Sequence, residues 1–225
     1  MNDDILFSMP VAALAFDVDG TIADTDPVHA RAWLGAVRTV TGRSGFDVKE
    51  YINECVLGAM SPKLFMARYV TAEEWLLVEK EKRRTYPSLL TADVSLAEGL
   101  HELVLSAQDA GVRIAIVSSS SQASVEAILD HAWRAAPPDV IICRKEGVSS
   151  KPDPSPYYKA LELLDLAPAQ VVAFEDADAG VRSAKAAGLT CVQIGPKASK
   201  SADTQIFDFR ACHITRRGGR VCLIV

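Results

Sequence analysis

Two aspartates separated by one residue close the apolar run Val11 to Phe16, in Asp17-Val18-Asp19-Gly20-Thr21. Alternate residues of an extended chain project to one side, so both carboxylates could serve one site, with Gly20 permitting a tight turn behind them. One carboxylate can attack while the other handles protons. The same pair could instead cap the next element or bind water, as aspartates after strands often do. A second apolar run, Val112 to Val117, ends in Ser118 to Ser121, whose hydroxyls and amides suit an anion, although serines at a helix start are also common caps. Lys151 stands in Ser150-Lys151-Pro152-Asp153-Pro154, where two prolines stiffen the loop that carries its ammonium group. Phe174 leads into Glu175-Asp176, with Asp178 two residues on. Hard oxygen ligands of this kind, gathered with Asp17 and Asp19, suit Mg²⁺.

These groups need a scaffold that brings separated strand ends together. Short runs rich in Val, Ile and Ala recur at Val11 to Phe16, Val112 to Val117, Val140 to Cys143, Val171 to Phe174 and Thr190 to Ile194. Continuous apolar strands of that length are what a parallel sheet covered on both faces requires. Helical patterns alternate with them at Ala97 to Ala110, Gln122 to Arg134, Pro156 to Leu164 and Ala179 to Ala187, with Gly111 and Gly188 as stops. The expected fold is α/β, a Rossmann-like parallel sheet whose site lies beyond the carboxyl ends of the strands. From Thr25 to Ala92 the rhythm breaks into helical patterns (Pro27 to Val40, Pro62 to Tyr69, Ala72 to Tyr86) without a convincing strand. We read residues 25–92 as an all-helical cap inserted after the first strand, and 1–24 with 93–225 as the core. The hinges are expected near Thr25 and around Leu90 to Ser95, where helical periodicity lapses. Arg216 to Arg220, between two β-prone runs, suggests a terminal hairpin with a solvated tip.

Composition narrows the function. With 225 residues, 49% hydrophobic and 24% charged, the chain has the make-up of a globular protein and length enough for one domain with an insert. Its 24 basic and 29 acidic residues leave a net charge of -5, which gives no field to draw in nucleic acid or an anionic membrane. Cys55, Cys143, Cys191, Cys212 and Cys222 form no CxxC pair, so neither a zinc site nor a disulfide framework is encoded, and a reducing cytoplasm is the expected compartment. The apolar run Met9 to Phe16 follows Asp3 and Asp4 instead of basic residues and is too short to span a bilayer.

In this order the motifs resemble those of the haloacid dehalogenase superfamily: DxDGT at Asp17 to Thr21, the serine motif at Ser118, the lysine motif at Lys151 and the acidic motif at Glu175-Asp176. The chain is similar in particular to the capped subfamily of beta-phosphoglucomutase, phosphoglycolate phosphatase and small sugar phosphatases. The resemblance implies that Asp17 attacks phosphorus and that Asp19 protonates the leaving oxygen and later deprotonates water. It implies Mg²⁺ held by the side chains of Asp17 and Asp176 and by the backbone carbonyl of Asp19, with Glu175 in or next to that shell. Ser118, its neighbour Ser119 and Lys151 would hold phosphoryl oxygens. An aspartate at position 19 favours phosphate esters over dehalogenation.

In the cap, His29 and Trp33 stand one helical turn apart, as in beta-phosphoglucomutase, although a core Trp33 with His29 packed over it reads equally well. Lys82 falls, by its spacing to Tyr86, where the mutase has a substrate lysine, yet it lies in the charge run Glu79 to Arg84 of the kind that forms solvated helix faces. Gly58-Ala59-Met60-Ser61-Pro62-Lys63 lacks the arginine with which the mutase holds a distal phosphate, and Ser95 to Gly99 lacks a proline common before that glycine. The expectation is a Mg²⁺-dependent phosphatase for a small phosphorylated metabolite, acting as a monomer or weak homo-oligomer. A sugar phosphomutase and a phosphate-binding module without turnover are the alternatives.

Overall fold

In the computed structural model the chain is described at residues 8–58, 60–133, 135–145, 149–196 and 199–225, without the side chains of 91–93 and 132. Asp3, Asp4, Ala59 and Arg134, which entered the sequence reading, lie outside the described residues.

A six-stranded parallel sheet forms the centre, in the order β4 (Val140–Ile142), β3 (Arg113–Val117), β2 (Ala13–Phe16), β5 (Val171–Glu175), β6 (Thr190–Ile194) and β7 (Thr204–Ile206). Alternation divides its side chains between two buried faces. Leu14, Phe16, Ile114, Ile116, Val172 and Phe174 pack on one side beneath α5 (Leu100–Asp109) and α6 (Gln122–Ala132). Ala13, Ala15, Ala115 and Ala173 face the other, where their small size admits α7 (Ser155–Leu164) and α8 (Asp178–Ala186) at close range. Because β2 is central, its carboxyl end is flanked by those of β3 and β5, with Phe16 level with Ile116 and Phe174. The residues just beyond, Asp17, Ser118 and Glu175, are thereby brought to one place.

The first strand is shorter than expected. Ser8–Pro10 (β1) pairs antiparallel with β9 (Arg220–Ile224), which also pairs with β8 (His213–Arg217) in a separate three-stranded sheet. Val11 donates its N–H to Val221 O, so residues 11 and 12 are the crossover between sheets. The hairpin turns at Gly218 and Gly219, whose φ of 55° and 78° suit glycine. Strand β7 was not anticipated, since three residues give too little pattern to read.

The insert is helical among its described residues: α1 (Asp26–Thr41), α2 (Val48–Tyr51) running into wider turns at Ile52–Leu57, α3 (Pro62–Met66) and α4 (Ala72–Asp93). The stretch 48–57 had shown no readable element. Trp33, Phe46, Tyr51, Phe65, Met66 and Val78 form an apolar cluster of their own. Helix α4 corrects the expected lapse near Leu90, because it continues through Pro87 to Asp93. Tyr86 and Leu90, one turn apart, are both buried in the cluster of the α5/α6 face, and that burial outweighs the hydrogen bond the proline removes. Thr71 and Glu74 start α4 with reciprocal side-chain bonds to backbone N–H groups. No described helix is long and apolar enough to cross a membrane.

Below the site, Phe16 and Phe174 stack at 5.0 Å, and Phe209, from the short turn Phe209–Ala211, meets them edge-on at 5.7 and 5.3 Å. Phe209→Ala is expected to lower the unfolding free energy by about 3–5 kcal/mol, read from the urea midpoint; a loss below about 1 kcal/mol would mean that this turn does not anchor the C-terminal segment.

Candidate active site

Backbone pairing carries the strands one residue further at their carboxyl ends, with Asp17 N donating to Phe174 O at 3.0 Å and Ser118 N to Ile142 O at 2.8 Å. Asp17 and Glu175 therefore emerge side by side with little freedom. Asp17 is 7% exposed and Glu175 1%. Lys151 reaches between them from the loop before α7, its Nζ 2.5 Å from Asp17 Oδ1, 2.7 Å from Glu175 Oε1 and 2.6 Å from Val117 O. Tyr157, buried on α7, donates its hydroxyl to Glu175. Two glycines make room: a Cβ at Gly180 would run into the Glu175 carboxylate, and one at Gly20 would lie 2.6 Å from Asp176 Oδ2.

Among the described residues, Asp17, Glu175 and Asp176 offer carboxylate oxygens that all lie within 4.8 Å of one another. Burial raises the pKa of Asp17 well above the ordinary value, Lys151 opposes this, and Glu175, Asp176 and Asp19 add repulsion. Glu175 is likewise raised, by burial first, against the pull of Lys151. Burial would lower Lys151, but Asp17 and Glu175 overcome it and keep the ammonium charged. A hard, all-oxygen carboxylate set of this kind fits a divalent cation.

Asp19 has a different environment. Its Oδ1 accepts from Thr25 Oγ1 at 2.8 Å, Tyr86 Oη at 2.9 Å and His29 Nε2 at 3.1 Å, and its Oδ2 from Ser120 Oγ at 2.5 Å. Burial would raise its pKa, but the hydrogen bonds from His29, Ser120 and Thr25 outweigh it and hold the carboxyl well below the usual range. Thr25 precedes α1 where a threonine would ordinarily cap the helix; it makes no such bond, because its hydroxyl is committed to Asp19. Lys82 Nζ lies 2.8 Å from His29 Nδ1. An ammonium can only donate, so Nδ1 accepts and the ring proton sits on Nε2, facing Asp19. Tyr86 stacks on His29 at 4.2 Å and lies under Lys82 at 4.0 Å.

The sequence-derived residues thus fall into two groups. Asp17, Glu175, Asp176 and Lys151 meet at the strand ends, whereas the Asp19 side chain is engaged by Thr25, by His29 and Tyr86 of the helical insert, and by Ser120. Ser118 is buried, its Oγ accepting from Ser120 N at 3.0 Å, and Ser119 is exposed on the cleft beside Lys82. The helix cap is Ser121, whose side chain accepts from Ser124 N, so the first three serines are not needed for capping. Trp33 stacks on Trp75 at 5.2 Å within the cap cluster, while His29 is turned to Asp19. Lys82 departs from the solvated face expected of its charge run: Arg83 and Arg84 point outward to Glu79 and Glu81, and Lys82 alone of the three turns inward. Sequence reasoning placed Thr25 only at the hinge and Ser120 only in the serine run suited to an anion, and assigned no role to Tyr86 or Tyr157. The spacing of Tyr86 one turn after Lys82 was its only signal, because Tyr86 and Ser120 lie 67 and 101 residues from Asp19.

The fold and these strand-end carboxylates define a hydrolase built on an open parallel sheet beneath a helical cover. Residues 11–188 match the haloacid dehalogenase-like hydrolase family. Protein CbbY of Rhodobacter capsulatus is 32% identical over 213 residues, covering 90% of this chain and 93% of that one. Fructose-1-phosphate phosphatase YqaB of Escherichia coli is 30% identical over 188 residues, covering 81% and 96%. A crystal structure of a CbbY variant from Rhodobacter sphaeroides in complex with xylulose-(1,5)bisphosphate superposes with a TM-score of 0.73 at 28% identity, covering 88% of this chain and 95% of that one. The chain belongs to the haloacid dehalogenase-like hydrolases. It is a phosphatase of that family.

Lys82 supplies a pH signature. Burial pushes its pKa down to about 8, with Arg144 and Arg83 adding repulsion and Asp19 opposing. Below that pH the ammonium holds the His29 tautomer; as pH rises through about 8 the charge is lost. Phosphate release is expected to fall in kcat/KM above pH about 8. Lys82→Ala should lower it by roughly tenfold at pH 7 and abolish that alkaline limb. A variant that keeps the limb would disprove the assignment.

Proposed function

We propose that the protein hydrolyses a small phosphorylated sugar in a Mg²⁺-dependent reaction through an aspartyl-phosphate on Asp17. The observation that carries this reading is the buried cluster of Asp17, Glu175 and Asp176 with Lys151 between its members. The similarity to CbbY and to fructose-1-phosphate phosphatase supports the substrate class. Asp17, Asp176 and the Asp19 carbonyl would hold the cation, with Glu175 beside them. The cation, when bound, supplies positive charge to the carboxylates and to the phosphoryl oxygens.

Asp17 Oδ attacks phosphorus, the ester P–O bond breaks, and Asp19 gives a proton to the departing alkoxide. Lys151, together with Ser118 and Ser119, holds the equatorial oxygens, where charge must be matched as the phosphoryl group transfers. Water then attacks the aspartyl-phosphate while Asp19 takes its proton, which breaks the bond between phosphorus and Asp17 Oδ, releases phosphate, restores the Asp17 carboxylate and returns Asp19 to the protonated form from which it began. The donors from Thr25, His29, Tyr86 and Ser120 keep Asp19 ionised and suit it to this second task. A phosphate dianion beside it raises its proton affinity for the first.

The chain from Lys82 through His29 to Asp19 also suits a phosphomutase, which must retain its aspartyl-phosphate while the sugar turns round. Lys63, the cation nearest to the missing cap-loop arginine, is exposed and lines none of the cavities around Asp19, so hydrolysis is the favoured outcome. A panel of phosphate monoesters with Mg²⁺ is expected to yield free phosphate, with Asp17→Asn slower by roughly a thousandfold or more and chelation likewise silencing the protein. An Asp17→Asn variant as active as the parent would overturn the mechanism. Interconversion of sugar 1- and 6-phosphates without phosphate release would establish the mutase instead.

A further inference from the structure

An ammonium group carries three N–H donors, and those of Lys151 are all engaged. Among the described residues its Nζ meets Asp17 Oδ1 at 2.5 Å, Val117 O at 2.6 Å and Glu175 Oε1 at 2.7 Å. The Lys151 side chain is only 5% exposed, so it has little room to reach out with a further bond. A phosphoryl oxygen can be taken up only if one of the three acceptors is given up.

The acceptors differ in what they would lose. Among the described residues the Asp17 carboxylate has no other side-chain donor. Glu175 is different, because the hydroxyl of Tyr157 donates to Oε1, the same oxygen that Lys151 meets. A carboxylate oxygen has two lone pairs, so Oε1 is served twice and keeps a donor when the ammonium turns away. Without Tyr157 that oxygen would be left unpaired in a side chain 2% exposed, where solvent supplies no substitute, and an unpaired buried charge costs more than an ordinary hydrogen bond contributes.

The backbone holds the two side chains in register for this task. Tyr157 is fully buried, its N–H donates to Pro154 O at 3.0 Å as α7 begins, and its ring centroid lies 5.5 Å from Lys151 Nζ. The turn between them is tied to α8, where buried Ser183 donates its hydroxyl to Asp153 O at 2.6 Å.

We propose that Tyr157 is a positioning residue for phosphate transfer: by satisfying Glu175 Oε1 alone, it releases one N–H of Lys151 from Glu175 to the transferring phosphoryl group. The inference rests on the phosphatase reading above, in which Lys151 holds phosphoryl oxygens, and adds the exchange of partners that this role requires. In the free protein Lys151 and Tyr157 share Oε1; with phosphate bound, Tyr157 keeps it and Lys151 turns to the anion.

Tyr157→Phe removes the hydroxyl and keeps the ring. Calorimetry with inorganic phosphate in the presence of Mg²⁺, and electron paramagnetic resonance of Mn²⁺ binding without phosphate, compare this variant with the parent. Phosphate is expected to bind about tenfold or more weakly, the worth of a charge-assisted hydrogen bond, while Mn²⁺ affinity stays as in the parent, because Lys151 still holds Glu175 when no anion is present. An unchanged phosphate affinity would refute the exchange, and so would phosphate and Mn²⁺ affinities that fall together, the mark of a merely structural tyrosine. A parent that releases phosphate from no ester, yet binds phosphate with this dependence on Tyr157, loses the phosphatase reading and keeps the exchange. A parent that turns over esters but binds phosphate as well without the hydroxyl loses the exchange alone, and one that binds no phosphate loses both.

Discussion

Burial of like charge is the constraint around which the molecule is arranged. Asp17, Glu175 and Asp176 are forced together at the ends of adjacent strands, with Lys151 as the one ammonium set between them. Leaving such groups in a dry site is costly unless they are paired and hydrogen-bonded, so the surrounding fold is committed to holding them. Tyr157 donates from α7, Gly180 removes a side chain that would collide with Glu175, and the Phe16–Phe174 stack below keeps the two strand ends level. A cluster of hard carboxylate oxygens is compatible with a bound cation, and an anionic substrate would need that charge for its own approach.

Asp19 joins the strand end to the helical insert. It lies two residues from Asp17 in sequence, yet its carboxylate faces the hinge and the cap. Thr25 gives up helix capping to bond it, and α4 delivers Tyr86 to it directly and Lys82 through His29. The placement of α1 and α4 and the environment of the Asp19 carboxyl are therefore linked by hydrogen bonds. A displaced cap would leave Asp19 with fewer donors and a higher proton affinity. The extension of α4 beyond Pro87 matters here, because burial of Leu90 in the core cluster fixes the helix on which Lys82 and Tyr86 are carried.

The cleft follows the same division of labour. Core loops present Ser119, Ser120 and Arg144, the cap presents His29, Lys82 and Arg83, and neither side forms a site by itself. The carboxylate cluster lies at the strand ends, whereas the cleft is lined from both the sheet and the helical insert.

The sequence by itself determined the α/β class, the central strands, the helical insert and the strand-end groups Asp17, Ser118, Lys151, Glu175 and Asp176. These are legible because apolar runs, turn residues and motif order are local signals. Which face each group would take was decided only by tertiary structure. Lys82 lies in a charge run no different in pattern from a solvated face, and it turns inward because α4 packs against α1 with His29 waiting on the other side. Pro87 reads as a helix breaker and is overruled by buried Tyr86 and Leu90. Thr25, Tyr86 and Ser120 converge on one carboxylate from positions 6, 67 and 101 residues away. Pattern in a chain reports the preferences of neighbours, whereas a site of this kind is made by contacts that exist only after sheet, hinge and cap have closed together.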